Sequence, residues 1–294
     1  MAGHFKWNGT LLSADTLDEI AGKLSSEAQP GTARFNYTIN AVIIRYFLGD
    51  DWFREHLLPD AHPESFFRPD FSNQEVDPTY SALTLELAEN LLNLQGVPGF
   101  GQCLEHMALR QMQSGLAELQ IGQILTLCGV PFRYVEDGET TTVDLVFRTR
   151  SGIDGLGEIK CKYEKAEYSD NTLRDALATA RKQIGKGNAG VVFVKIPTSW
   201  VDVSGPIADE APKIRLPSRI VAAADLAMRS SSRIKKVIFY VFHHACDLTW
   251  GVRVTHATME MTSPKLDASS PWRTELLGGQ GSWYRMHDLA KRWQ

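Results

Sequence analysis

Asp144, Glu158 and Lys160 are the residues of this sequence whose types and spacing could do chemistry. Asp144 interrupts Val-Asp-Leu-Val-Phe, a run that otherwise reads as an apolar strand. A carboxylate buried there is costly unless a cation or hydrogen bonds compensate it. Glu158 and Lys160 flank Ile159 in GEIKCKY, a second short strand. Alternation puts Glu158, Lys160 and Lys162 on one face, and Gly157, Ile159 and Cys161 on the other. A carboxylate and an ammonium then lie side by side under the strand that carries Asp144. A divalent metal held by Asp144 and Glu158 would offset the burial cost, with Lys160 orienting or activating a water beside it.

The elements that must position these residues can be read on either side. Helical spacing of apolar residues predicts helices from about Tyr37 to Leu57 and from Thr79 to Leu94, joined by a Pro-, Asp- and Phe-rich connector over Leu58 to Pro78. One long helix is expected from about Leu104 to Leu127, stopped by Gly129 and Pro131. PFRYVEDGETTTVDLVF reads as two strands around an Asp137–Gly138 turn, the second ending near Arg148. After GEIKCKY, Thr172 opens a helix whose apolar face is Leu173, Ala176, Leu177, Ala180 and Ile184. GVVFVKIP is a continuous apolar run of the kind buried at a sheet centre. A helix near Ser218 to Met228, the strand VIFYVFHH and an irregular tail with Trp272, Trp283 and Trp293 complete the chain. The order helix, three strands, helix, strand, helix, strand suits an α/β domain with a central mixed sheet flanked by helices.

With this frame the D…ExK pattern resembles the PD-(D/E)xK nuclease superfamily, over about residues 104–245. Val143 stands where the family's name has proline. The resemblance implies a restriction-endonuclease-like core, with the first hundred residues as a helical extension. It implies hydrolysis of phosphodiester bonds assisted by Mg²⁺ (or Mn²⁺), which orients a water, stabilises charge on the scissile phosphate and assists the leaving oxygen. Asp144 and Glu158 would be ligands, joined by the Ile159 carbonyl. Glu118, in the preceding helix, would bind a second ion or an outer-shell water, with Glu105 the lower-ranked alternative. Lys160 would stabilise the attacking water or transition-state charge, and Gln183, ahead of Lys182, would fill the polar position of the following helix.

Other signals are weaker. Cys103, Cys128, Cys161 and Cys246 form no CxxC or CxxH pair and read as buried thiols. His243 and His244 face opposite ways on a strand and read as structural. GKGNAG at 185–190 follows a helix and precedes a strand, the reverse of a dinucleotide fingerprint, and no P-loop Lys-Ser/Thr follows GVPGFGQ.

Charge is uneven along the 294 residues, whose formal net charge is −4. Residues 1–100 hold 6 Lys/Arg against 14 Asp/Glu, whereas residues 213–236 hold 7 against Asp225 alone. This excludes a protein coated in positive charge and leaves a local phosphate-facing surface, for which Lys162, Lys182, Arg219, Arg229 and Arg233 are candidates. The expected organisation is a helical region over 1–100, serving dimerisation, regulation or partner binding, a nuclease-type core over 101–250, and a tail over 251–294 packed on it. Phe66, Phe67 and Phe71 read as core rather than a stacking platform. No apolar stretch approaches a membrane span, and MAGHFKWNGT shows no secretory pattern, so a cytoplasmic protein acting on nucleic acid, DNA in preference to RNA, is expected. Two alternatives remain open: a catalytically inactive relative binding nucleic acid or protein in a defence or mobile-element complex, and an effector activated by a partner.

Overall fold

The apolar run at Gly190–Lys195 (β4) is buried at every position and forms the centre of a sheet, as its lack of alternation predicts. The computed structural model describes residues 7–57, 78–109, 112–136, 143–162, 166–204, 213–247 and 251–293. Residues 58–77 of the expected connector, with Phe66, Phe67 and Phe71, and the Asp137–Gly138 turn lie outside the described residues.

The helices α1 (Ala14–Leu24) and α2 (Ala33–His56) start at Ser13 and Thr32, whose hydroxyls accept from the backbone N–H of Thr16 and Phe35. Gly49, at φ 82°, bends α2. α3 is Pro78–Leu94. The expected single helix over 104–127 is instead two, α4 (Phe100–Leu109) and α5 (Met112–Leu127), and they fold back on each other. A straight helix would hold Met107 and Gly115 about 12 Å apart. A Cβ added at Gly115 would lie 2.5 to 2.8 Å from the Cβ, Cα and N of Met107, so the helices meet where Gly115 has no side chain.

The strands β1 (Phe132–Tyr134), β2 (Leu145–Arg148) and β3 (Asp154–Cys161) form an antiparallel meander. α6 (Asp170–Gln183) crosses to β4, which runs parallel to β3; the helix begins at Asp170, two residues ahead of the expected Thr172. Two short strands not foreseen, β5 (Asp202–Ser204) and β6 (Lys213–Arg215), precede α7 (Ser218–Arg229). β7 (Ile234–Asp247) then runs parallel to β4. The expected irregular tail is corrected: Gly251–Thr262 is a long strand, β8, antiparallel to β7, and Met286–Arg292 forms a helix, α8. The sheet order is β1-β2-β3-β4-β7-β8-β6-β5, a mixed sheet flanked by helices.

Alternation along the strands divides the interior. Val192, Val194, Val237 and Phe239 face Leu173, Leu177 and Ala180 of α6 and Ile220 and Ala224 of α7. Val191, Phe193, Ile238, Leu145 and Phe147 face Ala117, Ile121 and Leu125 of α5. Each fully buried Val, Leu, Ile or Phe among them contributes roughly 1.5–3 kcal/mol. A third cluster joins α1 to α4 with Phe242, Val254 and Met286, so these helices pack on the β7–β8 end of the sheet. There Glu86 Oε1 lies 2.8 Å from His256 Nε2, and Glu89 accepts from Trp283 Nε1 (3.1 Å), Arg285 Nη1 (3.2 Å) and the Met286 backbone (2.9 Å). Among the described residues no helix is long and apolar enough to cross a membrane.

Candidate active site

Asp144 does not lie inside a strand, as expected, but in the bend immediately before β2. Its backbone N–H donates to Gly157 O (3.2 Å), the carbonyl of the residue that Leu145 already faces, so the regular β2–β3 register ends at Leu145. Glu158 is level with Val192 of β4, which faces α6, so its side chain lies on the α6 face, and the Asp144 carboxyl is near enough for the two charges to act on each other. The bend is what turns the Asp144 carboxylate back onto the strand: its Oδ2 accepts from the Ile159 N–H at 2.6 Å. A strand residue's N–H and C=O point the same way, so the Ile159 carbonyl is also turned to the Asp144 side.

Glu158 is only 1% exposed. Its Oε1 accepts from Lys160 Nζ at 2.6 Å, and its Oε2 has no hydrogen-bond partner. Lys160 Nζ also donates to Gln183 Oε1 at 2.7 Å, so the last residue of α6 steadies the lysine. The sequence-based grouping of Asp144, Glu158, Lys160 and Gln183 is therefore one connected cluster.

The carboxyl groups are held in an unusual state. Burial, then the charges of Glu158 and Glu118, push Asp144 well above the usual carboxylate range. Burial raises Glu158 to about 7 against the opposing pull of Lys160, and Glu118 raises it further. Two acceptor-only carboxylates facing each other in a dry site cannot both ionise without a proton or cation between them.

Glu118, 8% exposed, comes from α5, whose Ala117 and Ile121 pack on the opposite face of the sheet. Its charge reaches both other carboxyls. Both of its oxygens lie 3.4 Å from His106 Nδ1, and His106 Nε2 lies 3.1 Å from Gln102 Nε2. Sequence reasoning missed His106. In one straight helix it would stand about 18 Å from Glu118, and only the turn between α4 and α5 brings the two together. Glu105 makes no hydrogen bond or ion pair among the described residues.

The phosphate-facing candidates divide. Lys162 follows the end of β3 on the Lys160 face; burial lowers its pKa, and the Lys160 charge lowers it further. Lys182 is exposed on the last turn of α6. Arg219 lies over the Tyr168 ring, 4.1 Å from its centroid. Arg229 is ion-paired with Asp225 (2.6 Å), and Arg233 donates to the Arg181 carbonyl (3.0 Å). Cys103 is buried and Cys128 and Cys161 are half-buried, none of them in a disulfide.

Among the described residues no group of three or more His, Cys, Asp and Glu side chains is arranged to hold a metal ion. Mg²⁺ asks for less: one or two carboxylates, with waters and substrate oxygens completing its shell. The unpartnered Glu158 Oε2 beside Asp144 is a donor set of that hard, oxygen-only kind. No protein-family model, curated protein or solved structure matches this chain.

Proposed function

We propose that the chain is a Mg²⁺- or Mn²⁺-dependent nuclease of the PD-(D/E)xK type, hydrolysing phosphodiester bonds of DNA. The observation that supports this best is the buried Asp144–Glu158 pair with one carboxylate oxygen unpartnered and a lysine clamped at its edge. Asp144, Glu158 and the Ile159 carbonyl would hold the ion, and Glu118 would act from behind through its charge. A divalent cation bound there supplies stabilisation of charge on the scissile phosphate.

The chain's own groups account for the rest. Lys160, fixed by Glu158 and Gln183, presents an ammonium to the attacking water and to the charge developing in the transition state. The Ile159 N–H holds the Asp144 carboxylate in place. Hydrolysis adds the water oxygen to phosphorus and breaks one P–O ester bond; the displaced oxygen leaves with a proton.

The test is cleavage of plasmid and linear DNA, and of RNA, by the purified chain with Mg²⁺, Mn²⁺ or EDTA. Metal-dependent DNA cleavage is expected, abolished by Asp144→Ala and by Lys160→Ala with folding intact. Cleavage that survives both substitutions would overturn the assignment.

A further inference from the structure

A second feature lies at the other end of α6. An open cleft of about 450 Å³ is lined by Tyr168, Ser169, Asp170, Asn171, Arg174 and Arg219. Arg219, exposed on the first turn of α7, lies over the Tyr168 ring with its Cζ 4.1 Å from the centroid. That ring is itself held: it meets Trp200 edge-on at 5.0 Å, and the buried Trp200 donates from Nε1 to the Ala166 carbonyl at 2.7 Å. A guanidinium over a ring face is attracted by the ring's π electrons. Arg174, exposed one turn into α6, faces the same space.

Other charged pairs on this surface are closed, as Arg229 with Asp225 shows. Among the described residues neither Arg174 nor Arg219 has an ion-pair partner, and both bear on Tyr168. Among the described residues Asp170 is the one carboxylate lining the cleft, and it sits beside the Tyr168 hydroxyl, whose pKa burial and Asp170 together raise to about 12. The Arg219 guanidinium over the braced ring and the Arg174 guanidinium lining the same cleft are the kind of planar donor forks that suit a phosphodiester oxygen pair.

Position gives the cleft a role. Glu158, Lys160 and Lys162 lie on one strand face, and Lys162 feels the charges of both Lys160 and Asp175 on α6. Lys162 therefore lies near both Lys160 and α6, whose first residues line the cleft. The 14 residues of α6 separate Gln183 from the cleft by about 20 Å, or about six base-pair steps.

We infer that the Tyr168–Arg174–Arg219 cleft is a backbone-phosphate subsite that grips a nucleic-acid strand about six steps from the cleaved bond. It rests on the nuclease reading for the identity of the ligand and for the distance from the cleaved bond. The contacts it makes are to phosphate and carry no sequence preference.

The test is anisotropy of fluorescein-labelled 20-nucleotide single-stranded and 20-base-pair DNA in EDTA, across a salt series. The probe protein is the full chain carrying Arg174→Gln and Arg219→Gln together, both at exposed helix positions. The expected result is affinity lower by about tenfold or more, with a salt dependence shallower by about two units of slope for the duplex. A control pair, Lys23→Gln with Arg34→Gln, removes the same charge from exposed helix positions of α1 and α2 and should leave both quantities near wild type. Unchanged affinity in the cleft variant, or an equal loss in the control, would overturn the inference. So would displacement of the DNA by inorganic phosphate at low concentration, which would make the cleft a site for the free anion. Cleft-dependent binding without metal-dependent cleavage would leave the subsite standing and remove the nuclease reading. Cleavage with cleft-independent binding would do the opposite.

Discussion

Lys160 Nζ stands 2.7 Å from Gln183 Oε1, so a strand residue and the last residue of a helix 23 positions later share one hydrogen bond. The same ammonium is 2.6 Å from Glu158 Oε1, and the two contacts fix where its charge sits. Gln183→Ala removes one of them without altering the carboxylates. The expected effect is a fall in kcat of roughly 10- to 100-fold with little change in KM, since positioning of a reacting group is lost rather than substrate binding. Steady-state cleavage assays on the variant check this; a rise in KM at constant kcat would place Gln183 in binding instead.

The raised carboxyl groups give the metal-free protein a distinctive pH response. Between the ordinary carboxylate range and about pH 7 the folded state keeps a proton at Glu158 that the unfolded chain has already released. Asp144 is displaced in the same direction. More protons bound folded than unfolded means that stability falls as pH rises through this window. The wild-type Tm should drop relative to Glu158→Gln between pH 5 and 8, in EDTA throughout. Parallel Tm profiles for the two proteins would show that the pair is not strained in this way.

A divalent ion should reverse the loss, because it replaces the shared proton. Mg²⁺ or Mn²⁺ should raise the wild-type Tm by several degrees at pH 8, by less at pH 5.5, and not at all in Asp144→Asn. Thermal melts at the two pH values check this. An equal shift in the variant would place the ion elsewhere.

The fold-back of α4 on α5 depends on Gly115. Gly115→Ala puts a methyl group 2.5 to 2.8 Å from Met107 backbone and Cβ atoms, so the helices must separate. A destabilisation of about 1–3 kcal/mol is expected in urea unfolding. His106 should also move away from Glu118, altering cleavage more than the stability loss alone would.

Much of the site was legible because strand alternation is local. Glu158 and Lys160 must share a face once GEIKCKY is a strand, and the apolar run at Val191–Val194 must lie at a sheet centre. Asp144 was harder. Its residue type announced a function, but its place in a bend, accepting from Ile159, depends on where β2 stops pairing. His106 could not be read from spacing, because its distance from Glu118 is set by the reversal between α4 and α5. The strand β8 was hidden by its own composition: His256 occupies a buried position in Gly251–Thr262, and its partner Glu86 lies 170 residues earlier. Likewise Gln120 is buried on α5 because it donates to that same Glu86 at 2.9 Å.

The central claim is that the buried Asp144–Glu158 pair is a divalent-cation site. Calorimetric titration of Mn²⁺ into the wild-type chain and into Asp144→Asn, at pH 7.5, tests it most directly. Saturable binding to the wild type with proton release, lost in the variant, is the expected result. Identical isotherms for the two proteins, or no binding to either, would contradict it.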